Sequence, residues 1–258
     1  MHMKMSAFAA AGLAATSANA QDADLAQQLA NPIAAIVSVP FQLNFDDKIG
    51  VTDQGARTTF NFQPVIPFKM DNGANIVTRT IVPYVWQDDV VPGTSQQGFG
   101  DVLFSAWYSK TTEGGLTWGA GPVIRFPTYS DVSTETWAAG ITGIALRTNG
   151  PWTYGALANH IWNLTGTPTT PTSATFVQPF VSYSTPSAWT FSVTSESTYD
   201  WIAEEWSIPV NANIAKLVPI RGIPINWQIG AGYWAQSPNT GPDGLRVRLQ
   251  AQIVLPRD

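Results

Sequence analysis

The sequence contains no cysteine, which excludes a disulfide framework and any cysteine-based metal or redox site. It also carries little charge. Asp, Glu, Lys and Arg make up 12% of the 258 residues, roughly half the share near 25% that is usual for soluble domains. Past the extreme N-terminus, no apolar run approaches the roughly eighteen residues that a membrane-spanning helix needs. Histidine is nearly absent: beyond His2 there is only His160. A serine nucleophile needs a histidine base, and no G-x-S-x-G occurs, so hydrolase chemistry has little to build on. The formal net charge of −5 argues against nucleic acid as a partner.

What the chain does contain is alternation. Leu245, Val247, Leu249, Ala251, Ile253 and Leu255 interleave with Arg246, Arg248, Gln250 and Gln252. Ile223, Ile225, Trp227, Ile229, Ala231 and Tyr233 interleave with Pro224, Asn226, Gln228, Gly230 and Gly232, and Trp206 to Ala215 alternates likewise. A period of two places successive side chains on opposite faces of a strand. These runs last about ten residues, longer than the five or six of ordinary strands. They match the nine to eleven or so that a tilted strand needs to cross a bilayer. Low charge at an ordinary hydrophobic content of 44% fits strands in which every second residue meets lipid. The eleven Trp fit residues that favour membrane interfaces.

Residues 1–20 read as a secretory leader. Lys4 is followed by a short apolar core, Ala7 to Ala15, and by Ala18-Asn19-Ala20, an A-x-A cleavage signal. Residues 21–35 hold helix formers with a stop at Asn31-Pro32, predicting one short helix. This helix either sits in the periplasm or enters the barrel mouth as a plug.

From Val37 the strands follow one another without a linker or repeat, giving one domain over 36–258. Strand parity is legible everywhere except in the sixth to eighth strands, where small residues occupy both faces. Short connections at 70–74, 111–115, 148–150, 185–187 and 217–222 alternate with longer ones at 46–57, 88–98, 127–136, 164–173, 199–205 and 236–244. Short periplasmic turns opposite longer external loops are the habit of outer-membrane barrels. The fold class expected is therefore all-β: a single transmembrane up-and-down antiparallel barrel of about twelve strands with a short N-terminal helical segment. Pro40, Pro64, Pro83, Pro122, Pro179, Pro209 and Pro224 fall inside these strands. Each removes a ladder donor, so bulges, strand ends or water-satisfied carbonyls are expected there.

Several motifs are similar to those of a bacterial outer-membrane family: Gly98-Phe99-Gly100-Asp101, Trp118-Gly119-Ala120-Gly121-Pro122 with Phe126-Pro127-Thr128, and Gly150-Pro151-Trp152-Thr153-Tyr154-Gly155. Asn159-His160-Ile161-Trp162, Gln178-Pro179-Phe180-Val181, the Asn31-Pro32…Pro40-Phe41-Gln42 opening and the ending Arg248 to Arg257 add to it. The chain resembles outer-membrane transporters of the phenol meta-degradation-pathway type over nearly all of its mature length. The resemblance implies a barrel that moves small hydrophobic or aromatic molecules, and it brings no catalytic or binding residue.

Polar groups on the inward set are the candidate selectivity residues: Arg79, Asp101, Arg125, Glu196, Arg246 and Arg248. An Arg on the lipid face near the midplane would cost roughly 2–4 kcal/mol, so these side chains should face the lumen. There they either line a constriction or form a salt-bridge network that fills space. Acids at Asp46, Asp47, Asp88, Asp89, Asp131, Glu135, Asp200, Glu204 and Glu205 are expected on the long loops, without the spacing of a calcium loop. No catalytic residue, cofactor or metal site is expected. The expected partners are outer-membrane lipid, lipopolysaccharide and a small solute, for a monomer in the outer membrane. The function expected is passive passage of that solute. The competing reading is a structural or adhesive barrel with a filled lumen. Inward glycines, such as Gly119, Gly121, Gly230 and Gly232, favour open space and a narrow pore.

Overall fold

The computed structural model describes residues 20–134, 136–164 and 171–255. The leader, Glu135, most of the loop at 164–173 and the last three residues lie outside that set. Among the described residues, residues 20–29 form a helix that stops just before Asn31-Pro32. The described residues after 36 are all strand and connection.

Fifteen β-segments make one antiparallel sheet that closes on itself as a barrel of twelve strands. In order they are β1 (Val37–Ile49), β2 (Gly55–Phe62), β3 (Val65–Lys69), β4 (Asn75–Asp88), β5 (Ser95–Phe99), β6 (Val102–Thr111), β7 (Leu116–Phe126) and β8 (Ala138–Asn149). Then come β9 (Trp152–Asn163), β10 (Ser173–Ser184), β11 (Trp189–Ser195), β12 (Ser197–Asp200), β13 (Glu205–Ile220), β14 (Ile223–Gln236) and β15 (Leu245–Leu255). Each of the pairs β2/β3, β5/β6 and β11/β12 is a single barrel strand interrupted once. Closure comes from β15 on β1, with Leu43 opposite Leu249 and Asn44 opposite Arg248. Closure leaves no edge strand with unpaired backbone groups, which a membrane would penalise.

Facing follows the alternation. On β1 the buried set is Ser38, Pro40, Gln42, Asn44 and Asp46, and the outward set is Val37, Val39, Phe41, Leu43 and Phe45. Large apolar side chains such as Phe191, Val193, Ile214, Ile229 and Leu249 are exposed on the outside. The outward aromatics gather at the two ends. Trp118, Trp152, Trp189 and Trp227 lie towards the short turns. Trp86, Trp137, Trp162, Trp201 and Tyr233 lie towards the longer loops. Two aromatic girdles around an apolar band are what a bilayer selects.

The sixth to eighth strands resolve the parity that the sequence leaves open. Thr142, Ile144 and Leu146 of β8 and Thr153 and Leu157 of β9 point inward, while Gly143, Ala145, Ala156 and Ala158 point outward. The reason is a departure from the polar-inside rule. Ile144, Leu146 and Leu157 pack with Val65, Val77, Trp107 and Ile33 in an apolar cluster inside the barrel. The lumen is thus packed on one side and polar on the other.

Two further expectations change. The strands reach further than the alternation suggests, so the connections after β1 and β12 shrink to 50–54 and 201–204, no longer than the turn at 70–74. Asp46, expected on a loop, is 5% exposed within β1 and points into the lumen. Two of the prolines fall at strand irregularities, as expected. Pro64 falls at the β2/β3 break, and Pro209 adjoins a register shift between β13 and β14. The Gln63 and Gly100 amides donate to the carbonyls of Pro40 (2.9 Å) and Pro83 (3.0 Å), so these two prolines keep their own acceptors paired.

Candidate functional site

The N-terminal segment occupies the short-turn end of the lumen. Ala26, 2% exposed, packs on Ala188 of the turn between β10 and β11 and on Leu217 of β13, with Leu25 and Leu29 beside it. Gln27 donates from Nε2 to the Gly150 carbonyl of another short turn. Past the helix, the Asn31 side chain caps the turn by accepting from the Ile33 amide at 3.0 Å. That turn drives Ile33, 3% exposed, into the apolar cluster. Gly119 lies directly beneath: a Cβ there would meet the Ile33 side chain at 3.1 Å. The inward glycine therefore receives the plug residue rather than leaving open space. Gly230 and Gly232 act alike, since a Cβ on either would strike the amide oxygen of Asn213 or Asn211. The inference from small inward residues to an open pore is corrected accordingly.

Towards the longer loops, an ion-pair cluster spans the wall. Glu196 sits at the β11/β12 interruption, where the ladder lapses opposite Pro209 of β13. Arg248 grips it with two bonds, Nη1 to Oε1 at 2.8 Å and Nη2 to Oε2 at 2.7 Å, and donates from Nε to Asn44 at 2.8 Å. Arg246 lies between Glu196 (3.5 Å) and Asp46 (3.3 Å), with its guanidinium 5.1 Å from the Trp234 ring. Trp234 also donates to Asp46 at 3.0 Å. Bidentate arginine–carboxylate pairs of this kind hold their geometry tightly.

Between the cluster and the N-terminal segment lies a cavity of about 390 Å3. Gln42, Gln63, Asn213, Asn226, Gln250 and Gln252 form much of its polar wall, and Val65, Ile81, Phe176 and Phe180 give it an apolar side. Arg79, Glu196, Arg246 and Arg248 also line it.

Four of the six residues singled out in the sequence therefore share one chamber. The other two do not reach it. Arg125 pairs with Asp101 at 3.4 Å and donates to Thr172 at 2.6 Å and to the Thr136 carbonyl at 3.3 Å. Asp101, at the β5/β6 interruption, accepts from the Thr134 amide at 3.1 Å and also bonds Ser133. These two residues tie the loop at 127–137 to the barrel rim. Sequence reasoning missed Asp46, and also Arg57, whose Nε donates to Gln87 at 2.9 Å beside the cluster. Their period-two position on β1 and β2 was the available signal. His160 lies on the outer surface, its Nδ1 2.7 Å from Thr175 Oγ1 and its ring 4.2 Å from Trp162. It belongs to the loop-side aromatic girdle. Among the described residues, no group of acidic or histidine side chains could hold a metal ion.

No protein-family model matches the sequence, and no curated protein matches it. Solved structures do. An outer membrane channel from Pseudomonas putida F1 superposes with a TM-score of 0.66 at 13% identity, covering 85% of this chain and 94% of that one. The NanC porin gives 0.53 at 11% identity, covering 86% and 100%. The beta domain of the Bordetella autotransporter BrkA gives 0.50 at 8% identity, covering 85% and 100%. At these identities the likeness is one of fold: this chain has the architecture of an outer-membrane β-barrel.

Proposed function

We propose that this protein is an outer-membrane channel for passive passage of small solutes, with no enzymatic activity. The observation that carries the reading is the chamber itself. A transmembrane barrel with no transport role has no need of a solvent-sized cavity walled by amides and ions. One boundary of the chamber is the Arg248–Glu196 pair. The other boundary is the segment around residues 26–36, whose contacts with the barrel among the described residues are apolar packing and the Gln27–Gly150 bond. A partly occluded lumen of this kind passes small molecules slowly and excludes large ones. The small hydrophobic or aromatic cargo implied by the sequence resemblance is compatible with the apolar side of the chamber. The protein sits as a monomer among outer-membrane lipid and lipopolysaccharide, its short turns facing the periplasm.

The competing reading, a structural barrel, draws on the packed side of the lumen, where Ile33 and Trp107 leave no room. Liposome swelling separates the two. Proteoliposomes should swell in isotonic solutes up to a sharp size limit. Swelling no faster than that of protein-free vesicles, for every solute, would leave the structural barrel.

A further inference from the structure

We propose that the lumen chamber is a binding site for small organic carboxylates, with Arg79 as the residue that receives the carboxylate. This deepens the channel reading and rests on it for the site's access from outside.

Two of the chamber's cations are already engaged. Arg248 is held by Glu196 and Asn44, and Arg246 by Glu196 and Asp46. Arg79 lines the same chamber. Its guanidinium lies 5.4 Å from the ring centroid of Trp107, and among the described residues it has no hydrogen bond and no ion pair within 4 Å, the Glu196 carboxylate acting on it only at longer range. Trp107 is itself 1% exposed and fixed by an Nε1–H bond to Thr142 at 3.2 Å. The ring therefore holds the guanidinium plane without using its donors. A guanidinium offers five donors in a rigid fork shaped for a carboxylate. Leaving that fork unmet in a confined site is unfavourable, and an arriving anion relieves it.

The chamber's charge points the same way. Three guanidinium groups and one carboxylate face it, and the carboxylate is already shared by Arg246 and Arg248. An anion entering the chamber finds surplus positive charge, and a cation is repelled.

The surroundings of Arg79 supply the rest of the ligand's chemistry. Val65 is its register partner on β3, and Ile81 follows it on the same face of β4. Phe176 and Phe180 face the same space. A ligand with its carboxylate on Arg79 thus lays an apolar body against aliphatic and aromatic groups. The amides of Gln63 and Gln250 remain for any hydroxyl it carries. The volume of about 390 Å3 lies within the usual range of small-molecule sites, about 300–1,000 Å3. The ligand class is a monocarboxylate with a compact apolar body, for which benzoate is the simplest probe.

The test is titration calorimetry of the full mature protein in lipid nanodiscs, with empty nanodiscs as blank. Benzoate should bind, with benzamide and acetate each at least tenfold weaker. Arg79→Gln should lose at least tenfold in benzoate affinity, and Arg79→Lys should lose less. Equal binding of benzoate and benzamide by the wild-type protein would overturn the assignment, even if Arg79→Gln did not fold. So would unchanged affinity in a folded Arg79→Gln, or no benzoate binding at all. Liposome swelling with the same solutes separates this result from the channel reading. Benzoate binding without swelling would remove transport and leave the site. Swelling without any benzoate preference would do the reverse.

Discussion

Arg248 on β15 and Glu196 at the β11/β12 interruption meet through two hydrogen bonds across two intervening strands, β13 and β14. The span is possible because Gly230 of β14 stands opposite Arg248 and presents no side chain under it. Replacing Glu196 with Gln removes the charge that holds a guanidinium only 6% exposed. The expected loss is about 1.5–3 kcal/mol, typical of a charge-assisted hydrogen bond left unmet. Urea unfolding in lipid vesicles would measure it. The Glu196→Gln protein should also show stronger anion preference in a salt gradient, since among the described residues Glu196 is the one carboxylate lining the chamber.

Ile33 anchors the N-terminal segment. Ile33→Asp places a carboxylate among Val77, Trp107 and Leu157, each 1% exposed or less. Burying an unpaired charge is so unfavourable that the segment should leave the lumen rather than the barrel unfold. Limited proteolysis should then remove residues before Val37 quickly, while the barrel keeps its heat-modifiable migration on gels. Protection equal to wild type would contradict the docking described.

Asp101 is expected to act on the loop and not on the pore. Its carboxylate bonds Ser133 and Thr134 and pairs with Arg125. Asp101→Ala should expose the loop at 127–137 to protease while leaving solute selectivity unchanged. Altered selectivity would mean that the Asp101–Arg125 pair reaches the conduction path after all.

The tryptophans report the membrane directly. Trp107 and Trp234 point inward, and the girdle residues, Trp118, Trp152, Trp189 and Trp227 among them, meet lipid. Brominated lipids should quench most of the emission, most strongly with bromines placed near the interface. The Trp107→Phe and Trp234→Phe proteins should keep the quenchable fraction unchanged or slightly raised.

The barrel was readable because its strands repeat one simple contrast, lipid outside and polar groups inside, as in Leu245 to Leu255. The contrast fails where Ile33 packs: Ile144, Leu146 and Leu157 face inward yet are apolar, because they meet Ile33 and the inward apolar groups of other strands. No local pattern announces a contact made from another part of the chain. The same blindness misplaced Asp46, assigned to a loop because acids favour loops, although its parity with Gln42 and Asn44 put it inside. Arg79, Glu196, Arg246 and Arg248 were found because an arginine or glutamate on such a strand has only the lumen to face. Asp101 and Arg125 satisfied the same rule, yet they are used at the rim, a distinction that depends on where loops fold.

Single-channel conductance in planar bilayers, compared between the mature protein and the same protein lacking residues 21–35, tests the central claim most directly. The first should carry a small steady current, limited by the segment at the short-turn end. The second should carry a clearly larger current, since removing helix 20–29 and Ile33 opens the lumen on that side. Electrical silence from both proteins would contradict that claim, leaving a closed barrel with a chamber that no ion crosses.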